Sequence, residues 1–192
     1  MSTQGEITRN LLAWQANPND PHTAALLARL TYDHLRQIAR ERLHRESNKP
    51  LTPTELVHEA WLKIQPPGEQ LANRKQFFRF ASTVMRSLLV DQARERLSRK
   101  RGGDQLRVTL SLAEREQTIS DEQLLDIDRV LLELGKAHPR PMEIVNLRCF
   151  GGLNIEEMAE LLEVSPATIK RDWKYARAWL ADALRTEQQD AN

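Results

Sequence analysis

The chain reads as an all-α protein, two small helical domains joined by a linker, and three observations predict it. Apolar residues recur at helical spacing through most of the 192 residues. Alternating, strand-like runs are nearly absent. Glycine is scarce outside Gly102-Gly103 and Gly151-Gly152, and the first pair marks a domain boundary. The expected division is a domain over 1–103, a linker over 104–120 and a second domain over 121–192.

In order, Ile7, Leu11, Leu12 and Trp14 make a short amphipathic turn that ends near Asn17-Pro18. A longer helix is expected from about His22 to Glu46, with Leu26, Leu27, Leu30, Leu35, Ile38, Ala39 and Leu43 as its inner stripe and its arginines solvated. Thr52-Pro53-Thr54-Glu55 starts the next helix with a hydroxyl cap, a proline and a glutamate three residues after the cap. That helix buries Leu56, Val57, Ala60, Trp61 and Ile64, and it leaves Glu55, His58, Glu59, Leu62 and Lys63 outside.

The helix from about Arg74 to Lys100 is the basic one. Phe77, Phe80, Ala81, Val84, Met85, Leu88, Leu89 and Ala93 give it an inner face, and Arg74, Lys75, Arg79, Arg86, Arg94, Arg96, Arg99, Lys100 and Arg101 are left for anions. Phenylalanines among arginines suit unpaired bases. Phe77 and Phe80 are expected inside, with Phe78 and the loop before it as the strand contacts. The stretch from Asp104 to Ser120 is too long for a helix–helix turn, so it is expected to be a flexible linker or a segment ordered on a partner. Ser120-Asp121-Glu122-Gln123 caps a helix with Leu124, Ile127, Val130, Leu131 and Leu134 inside. After His138-Pro139-Arg140-Pro141, a further helix offers Ile144, Val145, Leu147 and Phe150 to the core.

Asn154 then caps a short helix whose Ile155, Met158, Ala159 and Leu162 face inward. Ser165-Pro166 opens another after a bend of three or four residues, the spacing of a helix-turn-helix. In the second helix Ile169, Trp173, Ala176 and Leu180 share the inner side. Ser165, Thr168, Lys170, Arg171, Lys174, Tyr175 and Arg177 remain for phosphates and base edges in a major groove. The plainer reading is a solvated basic face on an ordinary helical hairpin. At the turn stands Glu163 rather than glycine, and a left-handed conformation there costs about 1 kcal/mol.

The net charge of +1 hides a pattern. From Asn73 to Gly103 there are nine Lys or Arg against two acids; from Asp104 to Glu163, thirteen acids against six bases; from Ser165 to Arg185, five bases against two acids. Two basic blocks separated by an acidic one suggest two nucleic-acid contacts. Cys149 is the only cysteine, so no disulfide or thiolate metal site forms within the chain, and no metal or other cofactor is expected. No apolar run approaches a membrane span, and a cytoplasmic setting is expected. The five histidines have no metal-ligand spacing, no phosphate loop is present, and no nucleophile–base pair can be argued, so an enzyme is not expected.

The stretch Thr54-Glu55-Leu56-Val57-His58-Glu59-Ala60-Trp61-Leu62, the basic helix ending in Val90-Asp91-Gln92-Ala93-Arg94, and the run from Leu147 to Ala159 together resemble the extracytoplasmic-function subgroup of bacterial sigma-70 type sigma factors. The resemblance covers about Ala24 to Leu184. It implies a sigma region 2-like bundle, then a region 4-like helix-turn-helix, in a protein that binds core RNA polymerase and promoter DNA. By the same resemblance, Glu55, Leu56, His58, Glu59, Leu62 and Lys63 would dock on polymerase. The loop and helix from Gln70 to Arg101 would recognise and melt the minus-10 element, the linker would thread the polymerase, and Ser165 to Arg177 would read the minus-35 element.

Many members begin the docking helix with several acids, where this chain has Thr52-Pro53-Thr54-Glu55. Phosphorylation of Thr52 or Thr54 by a Ser/Thr protein kinase would supply roughly two negative charges at a helix N-terminus. Some members of the broader family are thought to be switched in this way, others by a membrane-bound anti-sigma factor. Both threonines also serve simply as caps, and the two readings stand side by side. The rival function is a stand-alone helix-turn-helix regulator, which would bind duplex DNA without polymerase and gives the first basic block no role.

Overall fold

The computed structural model describes residues 74–98, 107–110 and 117–190 continuously, and before them 9–10, 13, 16–17, 20–22, 25–26, 29, 36, 43–44, 55 and 58–60. Helix dominates, as the apolar periodicity demands. The longer elements are α1 (Arg74–Ser98), α2 (Asp121–Ala137), α3 (Pro139–Cys149), α4 (Ile155–Leu162) and α5 (Pro166–Asp190). Before α1 the described positions are mostly helical; the backbone N–H of His22 reaches the carboxylate of Asp20, which stands before helical Pro21.

A small antiparallel sheet joins the helices. Strands β1 (Leu43–His44), β2 (Arg107–Leu110) and β3 (Gln117–Ile119) lie in that order, with Leu43 opposite Val108 and Val108 opposite Ile119. Two expectations change here. The helix expected to reach Glu46 gives way to strand at Leu43–His44, and the supposed flexible linker contributes two paired strands. The cause is tertiary: Val108 and Ile119 are β-branched and find backbone partners across the sheet, which local periodicity cannot register.

The helix boundaries follow their chemistry. Ser120 and Gln123 exchange hydrogen bonds at the start of α2, the Gln123 N–H to Ser120 Oγ at 3.3 Å and the Ser120 N–H to Gln123 Oε1 at 2.9 Å. Asn154 and Glu157 do the same at α4, at 2.9 and 2.8 Å. Gly151 sits where a Cβ would lie 2.6 Å from the Leu147 carbonyl, and Gly152 has φ 69°. Together they let the chain turn off α3 and start α4 at once.

The core is continuous from α1 into the C-terminal helices. Leu124, Ile127, Val130, Leu131 and Leu134 of α2 are buried, as are Ile144, Val145 and Leu147 of α3, Phe150 and Leu153 after it, and Met158, Ala159, Leu161 and Leu162 of α4. Helix α1 presents two buried faces. One carries Phe77, Ala81, Val84 and Leu88; the other carries Ser82, Arg86, Leu89, Val90 and Ala93. The second face holds the Arg86 side chain against α2 and α3.

Candidate nucleic-acid interface

The bend before α5 is built as a helix-turn-helix requires. Glu163 takes the left-handed conformation (φ 57°, ψ 42°) at the end of α4, and the Val164 N–H reaches the Ala159 carbonyl at 3.0 Å. The strain of a non-glycine residue there is tolerated because this bond and the buried Leu161 and Leu162 hold the turn. Ser165 caps α5, its Oγ accepting the Thr168 N–H at 3.2 Å and lying 2.9 Å from the Thr168 hydroxyl, with Pro166 at the first helical position.

Helix α5 then divides as its sequence predicts. Ile169, Trp173, Ala176 and Leu180 are buried. Lys170, Arg171, Lys174 and Tyr175 are exposed, and Arg177 is half-buried. Lys170, Lys174 and Arg177 recur at i, i+4 and i+7, with Arg171 and Tyr175 beside them. Ala167 and Ala178, small residues of the same helix, are also exposed. The Arg148 guanidinium of α3 lies 4.9 Å from the centre of the Trp173 ring and braces the inner side.

Two contacts on this surface were not legible in advance. Asp172 is a buried acid in the middle of the basic helix; it accepts from Arg140 Nε at 2.6 Å and Arg171 Nε at 3.3 Å. Arg140, at the start of α3, is thereby brought to the basic surface of α5. Tyr175 places its hydroxyl 2.7 Å from His138 Nε2, and its ring packs edge-on against the imidazole at 4.9 Å. Tyr175 thus fixes the α2–α3 corner as well as facing outward. An acid beside an arginine in a basic helix is the one sequence hint of the first contact; none marks the second.

The basic block of α1 is arranged differently. Arg79 makes a two-pronged pair with Glu143 of α3, Nε to Oε1 and the second nitrogen to Oε2 at 2.6 Å. That hydrogen bond, with the charge of Glu143, raises the Arg79 pKa above its ordinary value. Arg86 is 8% exposed; its Nε lies 3.4 Å from Asp128 of α2, and it donates to Asn146 of α3 at 3.1 Å. Burial lowers its pKa and Asp128 works against that shift. Arg94 lies 3.7 Å from Asp128 and 3.5 Å from Asp91, and Arg96 grips Asp121 at 2.7 and 2.9 Å.

Phe78 and Arg86 therefore correct the sequence reading. Phe78 is fully buried, edge-on to Phe77 with ring centres 5.2 Å apart, and Phe80 is the partly exposed phenylalanine of α1. The expectation that Phe78 and Arg86 face out assumed a helix buried on one side, whereas α2 and α3 cover a second side. Lys75 is half-buried. The signal for the pairs is visible in retrospect: Asp121 and Asp128 fall on the same side of α2 as Leu124 and Leu131, and acids on an apolar face require cations opposite.

At the proposed docking helix, Glu55 and His58 are exposed and Ala60 is buried, as expected, whereas Glu59, expected outside, is half-buried. Leu56, Leu62 and Lys63, the phosphorylation candidates Thr52 and Thr54, Arg99 and the side chain of Arg74 lie outside the described residues. Among the described residues, no three His, Cys, Asp or Glu groups stand together as a metal site, and no helix is long and apolar enough to cross a membrane.

The family model for ECF sigma factors matches residues 5–186. The chain belongs to the ECF sigma factor family. No curated protein and no solved structure matches it. As a member, this sigma factor is a DNA-binding transcription factor that binds core RNA polymerase and promoter DNA and directs transcription initiation. The matched span takes in α1, α4 and all but the last few residues of α5.

Proposed function

We propose that this ECF sigma factor divides promoter recognition between α5, which reads the minus-35 element, and α1 with the loop before it, which recognises and melts the minus-10 element. The helix carrying Glu55, His58 and Glu59 docks on core polymerase. The observation that carries the reading is the outward array of Lys170, Arg171, Lys174, Tyr175 and Arg177 on the second helix of a helix-turn-helix. Cations there neutralise phosphates, and Arg171 and Lys170 near the helix start are placed for base edges. Run-off transcription with core polymerase from the same organism tests it. Promoter-specific initiation that needs both core and this chain supports the assignment; tight duplex binding indifferent to core would replace it with the stand-alone regulator.

The start of the docking helix supplies the regulatory part of the proposal. Glu55 is the one acid in the corner Thr52-Pro53-Thr54-Glu55. A phosphate on Thr52 or Thr54 would sit at the positive end of the helix and add charge for basic residues on polymerase. A Ser/Thr kinase is then the activating partner, in place of release from an anti-sigma factor. Thr52→Glu and Thr54→Glu variants should gain affinity for core polymerase, and equal binding by the unmodified protein would sink the idea.

A further inference from the structure

We infer that Asp172 is a positioning residue for promoter recognition. Its carboxylate holds Arg171 and Arg140 by one nitrogen each, so that Arg171 reads base edges while Arg140, from outside the helix-turn-helix, grips a backbone phosphate. The inference deepens the minus-35 reading of α5 and rests on it.

Three observations carry it. Asp172 is the single acid between Ser165 and Arg177, and it is only 6% exposed. An acid there is doubly unfavourable, because burial opposes its charge and a carboxylate near DNA repels phosphates. Two cations offset this: Oδ2 accepts from Arg140 Nε at 2.6 Å, and Oδ1 accepts from Arg171 Nε at 3.3 Å.

Second, both arginines are held through Nε alone, and among the described residues neither has another partner. Their side chains are 49% and 71% exposed. The two terminal nitrogens of each guanidinium remain, and these are the pair that meets a guanine edge or a phosphate end-on. An unheld arginine samples many rotamers; one oriented beforehand loses less freedom on binding.

Third, the two arginines come from different helices. Arg171 belongs to the outward array of α5, whereas Arg140 is the second residue of α3. A phosphate contact from a neighbouring helix fixes the register and angle of α5 in the groove and carries no sequence information itself. Asp172 thus ties the residue that sets the register to the residue that reads.

The test uses the full chain assembled with core polymerase from the same organism. Duplex DNA with a randomised window is selected on this holoenzyme and sequenced, and affinities for the selected and a scrambled duplex are measured over a range of salt. Charge counting alone predicts that Asp172→Asn tightens binding to any sequence. The positioning role predicts that it flattens base preference at one or two positions and weakens binding to the selected duplex about tenfold, with no loss on the scrambled one. Asp182→Asn, which removes equal charge from an exposed acid further along α5, should leave the preference intact. In an Arg171→Ala background Asp172→Asn should flatten nothing more, whereas a merely structural aspartate would still degrade recognition. Arg140→Ala should weaken binding to both duplexes alike and lower the salt slope by about one.

Unchanged preference in Asp172→Asn overturns the positioning role, and an unchanged salt slope in Arg140→Ala overturns the phosphate contact. A selected motif that survives Lys170→Ala and Arg171→Ala together overturns the minus-35 reading of α5 beneath both. Should Asp172→Asn fail to fold, Arg171→Lys decides: lysine keeps the charge but offers Asp172 no Nε, so preference must flatten at an unchanged salt slope, and retained preference overturns the inference.

Discussion

Helices α1 and α5 are each 25 residues long and each rich in arginine, yet they direct their cations oppositely. On α5 the apolar residues take one side and the cations another, so folding leaves the charge facing water. On α1 apolar residues and arginines alternate around nearly the whole circumference, and acids of α2 and α3 meet the arginines. Like composition therefore does not mean like availability. What decides it is whether the cations share a side with Leu and Ala, as Arg86 does with Leu89, Val90 and Ala93, or stand apart from them, as Lys170 and Lys174 do.

The comparison breaks most severely if the inner side of α5 is removed. Trp173→Ala deletes a buried indole and the seat of Arg148; it should destabilise the C-terminal helices by about 3–5 kcal/mol, read as a lower urea midpoint. A sharper contrast comes from deleting one cation on each helix. Lys170→Ala should weaken duplex binding by about 1 kcal/mol and lower the slope of log affinity against log salt by about one. Arg79→Ala should leave binding by the free chain nearly unchanged, because Glu143 already holds that guanidinium, and should show its loss in open-complex formation with core polymerase. Ser165→Ala removes the cap that starts α5 and should cost about 1 kcal/mol by thermal denaturation. The smallest effect is a gain: Glu163→Gly relieves the left-handed turn and should stabilise the chain by up to about 1 kcal/mol in the same assay.

Much of α2 to α5 was legible because local and tertiary signals agree there. Ser120 and Asn154 cap where their side chains suggest, and every apolar residue assigned to the inner side of α5 is buried. Legibility failed where distant parts of the chain meet. The period of α1 gives its angular pattern but not how many neighbours it has, so Phe78 was placed outside although it is buried. Val108 and Ile119 carry β-branched side chains in segments too short to show alternation, and only their pairing with each other and with Leu43 makes them strands. At the interface, the cations of α5 were readable from sequence, whereas the joining of Arg140 to Asp172 depended on the crossing of α3 and α5.

The paired strands between α1 and α2 also set a mechanical limit. Drawn out, the stretch from Arg107 to Ile119 would span roughly 40 Å. With Val108 opposite Ile119, its ends stand about 5 Å apart, and the connection behaves as a tether kept folded on itself. Pulling α1 and α2 far apart must unzip the hairpin, one backbone pair at a time. The separation of α1 and α2 is therefore adjustable in length, and the hairpin stores the extra reach.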